Sequence, residues 1–352
     1  MAGAAFLSAS GLLSPTSLVQ WSGQTIPERV LEFIRSHPPI RGDEVLTAGV
    51  LGPLMQRSPH CRVIELVQLD PSVANSSGNA PTQAHGIAVT TVGAAICLDH
   101  ADDGGVCTVE TVGPHDARIH HALLDAVLST GHQDHHGLRW RPPSSDVDDL
   151  ELPPNAHVER TVVEMRATLP LVGRLGRAPT TVEVLSLGQY FRRDPTAESE
   201  QQFSLALMHL NNRAFRNHPE QGCWTTDDVL HLLCEPWFDF DSTVVALREG
   251  TLVGFAVMKA VTNRPIELYV VAGDPSIPTP GLGRALVVDG YRRASSRHAS
   301  KEAMLFVDSA NSRAVGLYES LGFATHRTQR VVAVHHRHQT SALPLRDSEP
   351  DV

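Results

Sequence analysis

The stretch IELYVVAGDPSIPTPGLGRALVVDGYRRA, Ile266–Ala294, decides the fold. Its first seven residues, IELYVVA, are apolar but for Glu267 and rich in β-branched side chains, in the manner of a strand. Gly273-Asp274-Pro275 interrupts that run, and Ala285–Ala294 takes up a helical rhythm. Between them Gly281-Leu282-Gly283-Arg284 stands where the helix begins. Successive backbone N–H groups there, together with the helix dipole, suit a pyrophosphate. Glycines allow the backbone to approach phosphates without a Cβ in the way. By itself a Gly-x-Gly turn is weak, because most are only turns.

The surrounding sequence extends the pattern. Downstream come a strand at Met304–Val307, a helix at Ser312–Leu321 and a last strand at Val331–Val334. Upstream, Gln202–Phe215 reads as a helix. A second helix, Thr225–Leu233, has Thr225 and Thr226 as caps and Asp227 and Asp228 in its first turn. Ser242–Leu247 and Leu252–Ala260 form a hairpin across Glu249-Gly250. The first half repeats this order more loosely. It has a helix at Ile26–Ile34, strands at Arg62–Leu69, Gly86–Leu98 and Cys107–Val112, a helix at His120–Leu128, and a strand at Glu159–Leu169 that closes the unit. The expectation is an α/β protein, with mixed α+β sheets, in two tandem units spanning 21–172 and 178–336. Residues 1–20 read as a loose extension, 131–157 as a polar, proline-rich loop, and 337–352 as a disordered tail.

A chain of 352 residues exceeds one ordinary core, which agrees with two domains. Hydrophobic residues at 41% and charged residues at 19% describe a globular protein. The net charge of −10, without a local basic patch, argues against nucleic acid or an anionic membrane as partner. No run of eighteen apolar residues occurs, and the N-terminus lacks a basic signal-peptide region. Five scattered cysteines without metal-ligand spacing read as free thiols of a reducing cytoplasm. His132/His135/His136 and His335/His336/His338 cluster in polar segments without cysteine or carboxylate partners, so no metal is expected. Only Lys259 and Lys301 are lysines, which singles out Lys259. A monomer is the default expectation.

Four segments then point together. NNRAFRNHPEQGCWT (Asn211–Thr225), EPWFD (Glu235–Asp239), GFAVMK (Gly254–Lys259) and ELYVVAGDP (Glu267–Pro275) resemble the mycothiol synthase family, tandem-domain GNAT N-acetyltransferases. NSRAVGLYESLGF (Asn311–Phe323) is similar to the GNAT pattern in general. The resemblance covers about residues 155–335; the first half shares only its order of elements.

The resemblance implies acetyl transfer from acetyl-CoA, as co-substrate, to the cysteinyl amine of a cysteinyl–glucosaminyl–inositol. Glu267 matches the family's general base, taking the amine proton directly or through water. An α-amine has a reference pKa of about 7.7–8.0 against about 10.4 for lysine, so its deprotonation costs roughly 3–4 kcal/mol less. Tyr318 matches the tyrosine that protonates the leaving CoA thiolate; its phenol, near pKa 10, lies above a thiol. Val271, Ala272 and Gly273 would polarise the thioester and hold the pantetheine arm through backbone N–H groups. Pro278, Thr279, Pro280, Gly281, Leu282, Gly283 and Arg284 match the pyrophosphate loop. Asn311, Ser312, Arg313, Ala314, Val315 and Gly316 match the second cofactor contact. Glu220, Lys259 and Phe306 match sugar–inositol contacts, and Asp43 in RGDEVL stands where the family uses a glutamate.

Structural alternatives stay open beside these roles. They are a solvated strand carboxylate for Glu267, a helix aromatic packed on Leu321 and Phe323 for Tyr318, a loop salt bridge for Glu220 and a snorkelling strand lysine for Lys259. The sequence also departs from the family. Pro278 and Pro280 remove two backbone donors from the cradle while stiffening it. Phe306 replaces a tyrosine, a loss of about 0.5–1.5 kcal/mol of hydrogen bonding. In the first half, Arg118 and His120 of GPHDARIHHALL (Gly113–Leu124) stand where glycines belong, so that unit is expected to bind no CoA. Two other readings remain: an acetyltransferase for another primary amine, such as a protein N-terminus or an aminoglycoside, and a non-catalytic CoA-binding tandem GNAT.

Overall fold

The computed structural model describes residues 6–8, 16–22, 26–36, 61–69, 89–99, 106–112, 117–129, 137–141, 152, 154–172, 179–216, 222 and 224–334. Asp43, Glu220, the 337–352 tail and both histidine clusters lie outside them. Two short strands, β1 (Phe6–Ser8) and β2 (Thr16–Ser22), precede helix α1 (Glu28–Ser36). Then follow β3 (Cys61–Leu69), β4 (Val89–Asp99), β5 (Val106–Val112), α2 (Ala117–Ser129) and β6 (Gly137–Arg141). The second half runs β7 (Ala156–Thr168), β8 (Glu183–Ser186), α3 (Leu187–Arg193), α4 (Ala197–Ala214), α5 (Thr226–Leu233), β9 (Val244–Arg248) and β10 (Thr251–Lys259). It ends with β11 (Ile266–Gly273), α6 (Leu282–Arg297), β12 (Glu302–Asp308), α7 (Ser312–Glu319) and β13 (Ala324–Val334).

Among the described residues, thirteen strands join one sheet, in the order β1-β2-β3-β4-β5-β6-β13-β7-β12-β11-β10-β9-β8. Both halves are built alike. Three antiparallel strands (β3-β4-β5 and β9-β10-β11) lead into a crossover helix (α2 and α6) and a parallel partner (β6 and β12). A parallel pair needs such a crossover, so the glycine turn read from sequence is a topological necessity as well as a candidate site. Each half buries apolar side chains on both faces. In the first, Leu123 and Leu124 of α2 pack on one face and Val30 and Ile34 of α1 on the other. In the second, α6 and α7 cover one face, and α4 and α5 the other.

Several sequence expectations need correction. Residues 1–20 contain β1 and most of β2, which pairs with β3 from Thr16 to Ser22. Their alternation is too short to register as a strand without a partner in view. The polar segment 131–157 contains β6, whose Trp140 is fully buried and donates through Nε1 to Thr111 Oγ1 at 3.1 Å. Five residues among charges and prolines hide that strand. β7 does not close the first unit: it lies between β12 and β13 and pairs with both. β13, in turn, reaches past β7 to pair with β6. The halves thus share strands across their junction. β8 and α3 lie outside the elements expected from sequence; Ser186 caps α3 in a reciprocal box with Gln189.

Thr225 caps α5 as expected, in a reciprocal box with Asp228. The hairpin β9–β10 turns through Glu249 and Gly250, both at positive φ. Helix α6 approaches β10 so closely that a Cβ on Gly290 would stand 2.7 Å from Met258 Sδ, which only glycine allows. At the far end of α6, Asp239 ties the helix to the turn before β9. It accepts from Ser242 Oγ at 2.6 Å, Arg297 Nε at 2.8 Å and the Asp241 backbone at 3.0 Å, with His298 Nε2 at 3.3 Å.

Burial alone would raise the Asp239 carboxyl, but the hydrogen bonds from Ser242, Arg297 and Asp241 outweigh it and hold the pKa at about 2, below its ordinary 3.8. A depressed folded-state pKa contributes stability present above about pH 4 and lost as pH falls toward 2. Asp239→Asn is therefore expected to lower unfolding free energy by about 2 kcal/mol at pH 7 and by far less at pH 2.5. Urea denaturation at the two pH values reads the difference; an equal loss at both would remove the charge from the explanation.

Candidate active site

The site is organised by where β11 leaves β12. The two strands pair in parallel only over Ile266, Glu267 and Leu268, facing Ala303, Met304 and Leu305. Residues 269–273 continue along β10 but have no strand partner on the β12 side. Their registers with β10 shift between Val257 and Met258, so that Tyr269 is an extra residue in β11. This bulge turns Val270 and Ala272 toward α4 and α5, onto the face that carries Lys259 and Glu267. The result is a V-shaped opening in the sheet with a free backbone edge on one arm.

Buried Tyr291, from α6, holds the apex: its hydroxyl donates to the Met304 carbonyl at 2.6 Å, beside the register partner Glu267. Burial pushes this phenol well above its ordinary value, nearby Tyr318 adds to the rise, a backbone hydrogen bond at Leu268 opposes it, and the Glu267 carboxylate raises it further. Tyr291 therefore lies between the two residues expected to do the chemistry. The sequence reading missed it, because a tyrosine inside GYRRA looks like any helical core aromatic.

Glu267 faces Lys259 across the β10–β11 pair, with Nζ and Oε2 3.8 Å apart and both side chains largely buried. Lys259 Nζ also stands 5.3 Å from the centre of the Trp237 ring and 6.0 Å from that of Tyr269. Lys259 is thus not a snorkelling lysine but a cation fixed between a carboxylate and two aromatic faces. EPWFD is explained in the same stroke, since Trp237 supplies one of those faces. Tyr318 is buried among Tyr291, Leu321 and Phe323, its ring edge-on to Phe323 at 6.0 Å. Its hydroxyl has no hydrogen-bond partner among the described residues. Burial pushes it up to about 12, so the phenol stays protonated throughout the neutral range.

The glycine turn follows the free edge. Asp274, nearly buried, accepts from Arg213 of α4 at 2.5 Å and from Ser276, through N at 2.9 Å and Oγ at 2.5 Å. Burial would raise its carboxyl, but Arg213 and Ser276 hold it below its ordinary value. The Asp-Pro pair is therefore an anchor and not a reacting group. Gly281 begins α6 at φ 82°, ψ −5°, and no side chain caps the helix. A Cβ on Gly283 would find nothing nearer than Leu317 Cδ2 at 3.9 Å, so the first turn is open. Arg284 Nη2 donates to Ser320 Oγ at 2.7 Å, binding this turn to the end of α7. At the start of α7, Asn311 caps the helix by accepting from Ala314 N at 3.1 Å, and a Cβ on Gly316 would meet open space. Ser312, Arg313, Ala314, Val315 and Gly316 form the rest of that turn. An uncapped helix N-terminus beside a glycine with room around it fits the pyrophosphate of acetyl-CoA. Pro278 and Pro280 lie in the approach and bring no donor to it.

Phe306 is 43% exposed, on the same face of the sheet as Glu267 but two residues past Met304. Asn212 clamps the Trp224 backbone at both ends, donating to O at 2.8 Å and accepting from N at 2.9 Å. In the first half, Arg118 is exposed and His120 buried in the opening turn of α2. Among the described residues no group of three or more potential ligands could hold a metal, and no helix is long and apolar enough to cross a membrane.

Comparison with known proteins gives this arrangement its class. Residues 205–323 match the model of the acetyltransferase (GNAT) family, and they form a GNAT domain. The fold of the whole chain is similar to a GCN5-related N-acetyltransferase from Sphaerobacter thermophilus (TM-score 0.56, 13% identity, 91% of this chain and 96% of that one). It is also similar to a tandem GNAT protein from the clavulanic acid biosynthesis pathway (TM-score 0.59, 13% identity, 90% and 97%). More specifically, the chain is 48% identical over 124 residues to the mycothiol acetyltransferase of Thermobispora bispora, covering 34% of this chain and 42% of that relative. It is 44% identical over 118 residues to that of Thermomonospora curvata (34% and 39%), and 42% identical over 133 residues to that of Acidothermus cellulolyticus (34% and 40%). These matches span about two fifths of the relatives' length.

Gly281→Ala places a Cβ on a left-handed residue at the head of α6. It is expected to cost about 1–2 kcal/mol of stability and to weaken acetyl-CoA binding at least tenfold in isothermal titration. Unchanged affinity would separate this turn from the cofactor.

Proposed function

We propose that the chain transfers an acetyl group from acetyl-CoA to the cysteinyl amine of cysteinyl–glucosaminyl–inositol, the last acylation that yields mycothiol. The observation that carries this reading is Glu267, paired with Lys259 at the apex of the β11–β12 opening, one strand-length from the glycine turn. The matches to mycothiol acetyltransferases support the choice of amine.

Bound acetyl-CoA supplies the acetyl group on a thioester. The backbone of Val271–Gly273, on the free edge of β11, hydrogen-bonds the arm and polarises the carbonyl. Gly281–Arg284 and Asn311–Gly316 offer helix N-termini to its phosphates. Glu267 accepts the proton of the amine, directly or through water, as the C–N bond forms and the nitrogen becomes acidic. Lys259 holds that carboxylate in place. Tyr318 meets the departing sulfur with its proton in place, which its buried phenol keeps well above neutral pH. Glu220 and Asp43 belong to the substrate side of this reading, and the first half serves as scaffold without a CoA of its own. The protein is taken as a cytoplasmic monomer.

Pro278 and Pro280 favour a second reading, a CoA-binding protein without turnover. The two are separated by CoA release with the pseudodisaccharide, free cysteine amide and a lysine peptide as acceptors. Turnover confined to the pseudodisaccharide is expected; none with any amine would leave the non-catalytic reading. Glu267→Gln is expected to lower kcat about 10²–10⁴-fold with acetyl-CoA affinity retained. A rate within threefold of the original would take Glu267 out of the role.

A further inference from the structure

Past the apex, the Glu267 face of the sheet continues across β12, β7 and β13. Register places Phe306 beside Glu164 and Glu164 beside Arg327, with Gln329 two residues farther along β13. These residues line a shallow depression together with Thr328. Its polar groups are incompletely satisfied. Arg327 Nη1 is buried without an acceptor. Gln329 is nine-tenths buried, and its amide has no hydrogen-bond partner among the described residues. Glu164 is almost wholly buried and pairs with Arg166 Nε through Oε1 at 2.6 Å. Buried donors and acceptors are normally paired, so unpaired ones facing a depression point to a missing partner.

The chemistry of the depression selects that partner. A carboxylate opposes an anion, while a guanidinium and a neighbouring arginine oppose a cation. Buried polar atoms oppose an apolar group. Hydroxyls, which both donate and accept, suit Glu164, Arg327 and Gln329 together. The exposed ring of Phe306 offers a face to the C–H edges of a saturated ring. From Glu267 on β11 to Arg327 on β13 is three strand spacings, about 14 Å across the sheet, and two residues, about 7 Å, along it. That span separates a reacting amine from the far end of a ligand with two rings.

We propose that Glu164, Arg327 and Gln329, with the face of Phe306, form a polyol subsite for the hydroxyl-rich ring end of the acceptor. This rests on the acetyl-acceptor reading above and extends the substrate contacts beyond the GNAT core onto β7 and β13. The test compares Arg327→Ala and Gln329→Leu with the unsubstituted protein, using the pseudodisaccharide and cysteine amide as acceptors. The preference for the pseudodisaccharide is expected to narrow by about 10- to 100-fold in kcat/KM for Arg327→Ala, and by less for Gln329→Leu, with the change in KM. An equal loss on both acceptors, or none, overturns the subsite while leaving the proposed function intact. If no acceptor is turned over, the function fails, and ligand-observed NMR with glucosaminyl-inositol still decides the subsite. Binding lost in both variants supports it; binding equal in all three proteins overturns it. Circular dichroism and melting profiles matching the unsubstituted protein accompany each variant.

Discussion

The parting of β11 from β12 after three residues is the constraint on which the rest of the second half depends. A parallel pair in a packed sheet ordinarily continues, because each unpaired backbone group away from water is unfavourable. Here two features end it. The extra residue at Tyr269 rotates the following strand, and the Tyr291 hydroxyl occupies the Met304 carbonyl at the apex. Tyr291 comes from the helix whose first turn carries the glycines, so the same helix holds the opening of the sheet and presents the glycine turn. Packing enforces this, because Gly290 lets α6 lie against Met258 and Gly281 lets the chain turn into it. Opening, free edge and helix N-terminus are one construction.

Much of this was legible in the sequence. The strand, glycine turn and helix of Ile266–Ala294 fall where the apolar pattern places them, and Thr225 caps its helix. What stayed hidden has physical causes. β6 is five residues with one buried tryptophan, too short for alternation to stand out beside arginines. β7 reads as a strand, but no local pattern says that its partners lie some 140 residues and more downstream. The bulge at Tyr269 is invisible because a residue type does not announce a register shift. Lys259 was singled out by its rarity; its setting between Trp237, Tyr269 and Glu267 depends on strands and a turn that only folding brings together.

The two halves illustrate how one architecture supports unequal sites. Each has the antiparallel trio, the crossover helix and the parallel strand. In the second half the crossover helix starts with a left-handed glycine and room for a ligand. In the first, no glycine opens α2 and His120 is buried in its opening turn. The two halves are joined through strand pairing at their junction. β6 covers the end of β13, and β7 lies between β13 and β12, so the one sheet runs through both halves.

The charges of the second half follow from the same economy of form. Three of its cations near the site are committed to the protein, Arg213 to Asp274, Arg284 to Ser320 and Lys259 to Glu267, while Arg313 at the start of α7 is exposed. In the proposed reading, phosphate recognition falls largely to backbone N–H groups and helix dipoles, whose partial charges act at short range and need no mobile side chain. Rigid donors of this kind lose little conformational entropy when a ligand arrives. That suits a loop stiffened by Pro278 and Pro280, where flexible arginines would have to be ordered on each binding event.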